Sequence, residues 1–265
     1  MTVVKLASSS PDEAAHAVIA GQHVRLGKLQ TKKDRRNLKF AKYLPKGVKL
    51  PKAPGHVSRV GLVPSWPMYG NDTLGDCTCA AVGHIDQLAS VAGGKPETPT
   101  DQAVLDLYWQ TGTADDGRYC LDILNRWHTH GFGADLEKLT VFAQVDPTQR
   151  QQAKLAVYWL GFLYIGLALP ISAQQQSHWS IVRGANAKPG SWGGHCVPVV
   201  GYDGNGLDVV TWGKVIRMTW GFFAKYCDEA YTVLVPDWFQ SGHSPADAGA
   251  LKLDAMLADL AKIGS

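Results

Sequence analysis

The sequence predicts an α+β fold, with helices in its first half and an antiparallel sheet in its second. Three observations predict it. Apolar residues recur at helical spacing between about 61 and 150, β-rich runs follow between about 155 and 240, and Asp203-Gly204-Asn205-Gly206 joins two of those runs as a hairpin turn. Nine tryptophans in a chain of 265 residues, 45% of them hydrophobic, supply a substantial core. No apolar run reaches the ~20 residues of a membrane-spanning helix.

The chain opens on a basic arm. Residues 1–60 hold 13 Lys+Arg against 3 Asp+Glu, leaving 13 against 20 for the rest, so an arm of +10 faces a body of −7. Lys32 to Leu44 has the pattern of a short basic helix, after which Pro45, Pro51 and Pro54 enforce extended chain. The arm is expected to pack along the body. Its charge fits either a solvated face or an acidic protein or nucleic-acid partner, bound with strong salt dependence. The opening stretch lacks the apolar core of a secretory signal. A cytoplasmic or virion-associated chain with free thiols is therefore expected for the five cysteines.

Within the body, Ala81, Ile85 and Leu88 place a helix beginning near Cys77. Thr100 or Asp101 caps a second helix that turns Val104, Leu107 and Tyr108 inward, and a third runs from Cys120 to Gly131 and Gly133. Leu155 to Pro170 reads as a buried helix end passing into a strand. The runs "HCVPVVGYDGNGLDVVTWGKVIRMTW" and "EAYTVLVPDW" supply further strands. A last amphipathic helix is expected at 247–263, with Leu253, Met256, Leu257 and Leu260 on one face and Ser244 or Asp247 as its cap. The expected layout is a basic arm at 1–60, a domain at 61–240 and a helix at 241–265 packed on that domain.

The stretch "GNDTLGDCTCAAVGH", Gly70 to His84, carries the chemistry. With Asp76 as cap, Cys77 is the first residue of its helix, where free N–H groups and the dipole lower a thiol's pKa. Cys79 lies about 200° further around the helix and cannot face the same cleft. A thiolate nucleophile needs a base and an oxyanion donor. His195, at the start of a strand behind Gly193-Gly194, is the candidate base, and Asn71, six residues before Cys77, the candidate donor. Cys77, Cys79, His195 and Cys196 form a competing metal set, but neighbours on a strand point apart and the helix cysteines diverge. Asp115, Asp116 and Asp122 read as loop carboxylates. No metal and no cofactor is expected.

Asn71, Gly75-Asp76-Cys77 at a helix start, Gly194-His195 on a strand and Trp212-Gly213 together resemble the papain-like cysteine peptidase superfamily. The resemblance is to its bacterial branch, including peptidases that remove double-glycine leaders, and to uncharacterised phage and actinobacterial proteins with "GND…GDC". It covers about 61–240 and implies a two-lobed fold, with the nucleophile on a helix of one lobe and the base on a β lobe. It also implies an Asn or Asp orienting the base, just before the Trp-Gly pair, where this chain has Thr211. The family's oxyanion glutamine is replaced by the shorter Asn71. Turn parity bears on the orienter: an even hairpin loop puts Asp208, Val210 and Trp212 on the face of His195, an odd one puts Thr211 there. Thr211 is the preferred orienter, with Asp208 the alternative.

Two functions fit. One is a cysteine peptidase or amidase acting on a peptide or amide substrate through Cys77, His195, Asn71 and Thr211. The other is a catalytically weak or inactive papain-like structural or binding protein, such as a phage virion component, whose arm holds an acidic partner. A third role for the arm is a propeptide covering the cleft.

Overall fold

The computed structural model describes residues 16–19, 21–45, 52–240 and 251–263. The arm enters as a hairpin, β1 (His16–Ile19) against β2 (Gln22–Arg25). No helix forms across Lys32–Leu44. Only Phe40–Lys42 makes a single 3₁₀ turn. The reason is that this segment's apolar residues are used one by one: Leu38, Phe40, Tyr43 and Leu44 are all buried in the core shared with the body. Backbone bonds tie the segment down, with Gln144 N–H donating to Leu38 O and Lys252 N–H to Tyr43 O. A short strand, β3 (Val57–Ser58), then joins the main sheet.

The helical lobe follows, with α1 (Cys77–Ala92), α2 (Asp101–Gln110) and α3 (Cys120–His130). Helix α1 is buried on nearly every face, as expected of a helix clamped between two layers. Gly83 permits one of those contacts, since a Cβ there would lie 2.9 Å from Tyr69 and from Val104. Thr100 caps α2 by accepting from Ala103 N–H at 3.1 Å, and Gly131 ends α3 at φ 86°.

The second half alternates β4 (Val141–Gln144), α4 (Arg150–Leu160), β5 (Leu163–Leu169), β6 (His178–Trp179), β7 (Gly193–Tyr202), β8 (Gly206–Thr211), β9 (Lys214–Thr219), α5 (Trp220–Tyr226) and β10 (Cys227–Leu234). The sheet order is β4-β10-β5-β7-β8-β9-β6, antiparallel except for β6 against β9, with β3 pairing β7. Strand β7 is the centre, buried along most of its length because it packs against β5, β8 and α1. Trp212-Gly213 is not strand. It is the two-residue turn between β8 and β9, with φ of 49° and 71°, a pairing that suits a right-twisted hairpin. Among the described residues, two helices follow, α6 (Pro236–Gln240) and α7 (Leu253–Ile263). Helix α7 docks on the arm, Tyr43 Oη donating to Asp259 at 3.0 Å. The expected start of this helix at 247 and its caps Ser244 and Asp247 lie outside the described residues.

The register of β7 against β8 carries one consequence for the site. Near the turn the loop is even, with Tyr202 opposite Leu207 and Gly201 opposite Asp208, which alone would turn Thr211 away from His195. A bulge between Val199 and Gly201 then shifts the pairing by one residue, placing Val199 opposite Val209. Beyond the bulge Thr211 joins the face of His195.

Candidate active site

Cys77 is the first residue of α1, as the sequence predicts, but its surroundings differ from the expectation in two respects. Asp76 occupies the cap position without making a side-chain cap bond. Both of its carboxyl oxygens are buried without a hydrogen-bond partner, and burial pushes its pKa well above the usual carboxylate range. The Cys77 thiol is not lowered by the helix end either. It is 1% exposed, and burial pushes it up to about 12 against the pull of backbone amides at Cys196 and Gly27. Cys79 is fully buried on another face, near Thr78 Oγ1.

His195 lies on β7, fully buried. Its Nε2 and Thr211 Oγ1 share a hydrogen bond of 2.6 Å. Trp212 stacks on the imidazole at 4.5 Å and 19°. A tryptophan at positive φ is a strained residue, and here the strained backbone lays an indole over the imidazole. Burial lowers the His195 pKa to about 3. Nδ1 has no hydrogen-bond partner, so an Nε2–H tautomer bonded to Thr211 leaves an unused lone pair on Nδ1. Among the described residues, the Cys77 thiol makes no hydrogen bond to His195. Asp208 is turned elsewhere, accepting from Arg217 at 2.8 Å.

The arm fills the space between the lobes. Residues Val24 to Lys28 run through it, bonded on both sides. Asn71 Nδ2 donates to Arg25 O at 3.1 Å, and Trp212 Nε1 donates to the same oxygen at 3.3 Å. Asn71 O accepts Arg25 N–H at 2.9 Å, Arg118 N–H donates to Gly27 O at 2.8 Å, and Lys28 N–H donates to Gly194 O at 3.0 Å. The fit leaves no room for a side chain at Gly27, where a Cβ would stand 1.9 Å from Gly75 O. Asn71, Trp212, Cys77 and Gly194 thus meet around one stretch of peptide backbone.

The sequence reading passed over three groups. Asp115, taken for a loop carboxylate, accepts from Arg25 Nη1, from Gly75 N–H at 2.9 Å and from Tyr108 Oη at 2.7 Å. Glu229 is fully buried at the start of β10; two acids opening an otherwise apolar strand were its signal. Lys28 reaches it across the cleft at 3.1 Å. Nothing local marks a partnership between residues so far apart in sequence.

No protein-family model and no curated protein sequence matches this chain. Solved structures do. Xylellain, a cysteine protease from Xylella fastidiosa, superposes with a TM-score of 0.64 at 14% identity, covering 79% of this chain and 96% of that one. ProCathepsin B S9 from Trypanosoma congolense gives 0.57 at 10% identity, over 79% and 86%. Digestive procathepsin L 3 from Tenebrio molitor gives 0.55 at 14%, over 79% and 76%. These likenesses bear on the fold: the chain has the papain-like two-lobed fold, with helices and a largely antiparallel sheet.

Proposed function

We propose that the chain is a cysteine-dependent peptidase or amidase, held latent by its own arm. Cys77 attacks a carbonyl carbon, and His195 takes the thiol proton and returns it to the leaving amine. Asn71 and the Cys77 N–H hold the oxyanion, Thr211 orients His195, and water then hydrolyses the thioester. The observation that carries this reading is the Arg25 carbonyl, which accepts from Asn71 Nδ2 beside Cys77. A peptide carbonyl already sits at the candidate oxyanion donor, in a cleft that also bonds the arm at Arg25 N–H, Gly27 O and Lys28 N–H, backbone groups that any peptide offers. While the arm covers the pair, both groups are neutral, with the thiol near 12 and the imidazole near 3. Readmitting water removes the burial cost on the charged forms, and the pair becomes reactive. The resemblance to bacterial leader peptidases rests on the spacing of Asn71, Asp76 and Cys77 and makes peptides the first substrates to try.

The test uses Gly27→Ala in the full chain, which the 1.9 Å contact with Gly75 O forces out of the cleft. Expected are hydrolysis of fluorogenic peptide amides and fast alkylation of Cys77 by iodoacetamide, both abolished in Gly27→Ala/Cys77→Ser and strongly slowed in Gly27→Ala/His195→Ala. Alkylation no faster than that of an ordinary thiol, without hydrolysis, would sink the reading.

One observation favours the inert alternative, a papain-like structural or virion protein: His195 is partnered by a hydroxyl in place of a carboxylate or amide. The matching role for the arm, a grip on an acidic partner, draws less support. Arg25, Lys28 and Lys32 are ion-paired with Asp115, Asp228 with Glu229, and Asp122 of the body, so three of the arm's thirteen cations are answered by the body.

A further inference from the structure

Among the described residues, Lys28 is the most deeply buried cation of the arm. Its side chain is 1% exposed and its Nζ lies 2.9 Å from Asp228 Oδ2 and 3.1 Å from Glu229 Oε1. It also donates to Leu29 O at 3.1 Å. The slot is shaped by two glycines of the β lobe. A Cβ on Gly166 would stand 2.1 Å from Lys28 Cε, and one on Gly194 would stand 2.1 Å from Lys28 O. At the floor, the Glu229 carboxylate is 1% exposed and is held by Tyr231 Oη donating to Oε2 at 3.1 Å. Asp228, one-third exposed, stands at the mouth.

The backbone of Lys28 is registered by groups that would register any peptide. Arg118 N–H and O bond to Gly27 O and Leu29 N, and Gly194 O accepts Lys28 N–H. The neighbouring residue, Gly27, lies against Gly75, two residues before Cys77. A peptide strand using the same backbone partners therefore directs one side chain into this slot, close to the nucleophile. When the arm leaves, it takes away both the cation and Thr31, whose hydroxyl bonds to Glu229 Oε1. A neutral side chain entering the slot would bury the Glu229 carboxylate again without a countercharge, which is strongly unfavourable. The vacated slot thus favours a side chain that carries a cation to its floor and rejects neutral or acidic ones.

We infer that the slot formed by Gly166, Gly194, Asp228 and Glu229 is a substrate-selecting pocket, and that the enzyme prefers peptides with a lysine within three residues of the bond it cuts. This rests on the peptidase reading above. The arm's Lys28 acts as the resident occupant of a pocket built for a substrate's lysine.

The experiment compares tripeptidyl acyloxymethyl ketones carrying lysine, norleucine or glutamate at any one of the three residues. In these probes the Cys77 sulfur displaces the carboxylate and forms a thioether that is read by mass. The protein is full-chain Gly27→Ala/Lys28→Ala, with and without Glu229→Gln; Lys28→Ala alone serves if the double variant unfolds. Lysine probes are expected to label Cys77 at least tenfold faster than norleucine probes, with the preference lost in Glu229→Gln. Fast labelling without a lysine preference would overturn the pocket while leaving the peptidase reading intact. Failure of every probe to label Cys77 would overturn both.

Discussion

A threonine hydroxyl holds His195 where a carboxylate would hold an imidazole more firmly, and the 2.6 Å contact makes it the sole described partner of that ring's nitrogens. Its contribution is that of one neutral hydrogen bond, about 1 kcal/mol. Thr211→Val is therefore expected to slow Cys77 alkylation in the arm-released chain by about 5- to 10-fold. Thr211→Ser should stay within about twofold, because the hydroxyl remains. Equal rates for Thr211→Val and the parent would remove Thr211 from the site. At this scale the sequence is informative about where a candidate residue meets an element's end: Cys77 at a helix start, His195 behind a glycine pair. The partner of His195 was not decidable, because the bulge between Val199 and Gly201 that brings Thr211 around leaves no mark in the turn sequence.

The arm shows where element-scale reading stops. Its charge and prolines are plain in the sequence, and so is its packing along the body. That Val24 to Lys28 would thread between the lobes is not, since the bonds to Asn71, Arg118, Gly194 and Glu229 all join residues distant in the chain. The 3₁₀ turn in place of a helix has the same cause: buried contacts of Leu38, Phe40 and Tyr43 override local helix propensity. Threading has a direct consequence for proteolysis. Arg25 and Lys28 are buried, whereas Lys33, Arg35 and Arg36 are exposed. Brief trypsin treatment of the parent chain is expected to cut at 33–36 and spare 25 and 28. Gly27→Ala should open cuts after Arg25 and Lys28 under the same conditions, read by peptide mass. Protection of both sites in that variant would mean that the body yields to the added methyl and the arm stays in place.

For the whole molecule, stability against pH follows from which buried groups exchange protons on unfolding. His84 and His195 are lowered by burial to about 4 and about 3, against an ordinary value near 6.5. Between these limits the unfolded chain binds protons that the folded chain refuses, so stability falls as pH falls. Asp76 and Asp86 act in the opposite sense. Burial raises Asp86 to about 7 and Asp76 well above its usual range, so the folded chain keeps protons that the unfolded one releases above about 4. From about pH 4.5 to 6.5 these carboxyls, joined by the part-buried Glu137 that burial also raises, offset the two histidines, and a plateau is expected. Above about 6.5 the histidines drop out and the carboxyls remain, so stability declines. Above about 8.5 the decline steepens, because burial also raises all five thiols. Each unbalanced proton is worth about 1.4 kcal/mol per pH unit. Unfolding midpoints in urea from pH 4 to 9 would trace this profile. Asp76→Asn is expected to replace the plateau by a rise with pH, since its term no longer balances a histidine. A parent chain with its maximum at pH 8, or an Asp76→Asn profile parallel to it, would show that Asp76 is ionised beside Cys77 in the folded chain.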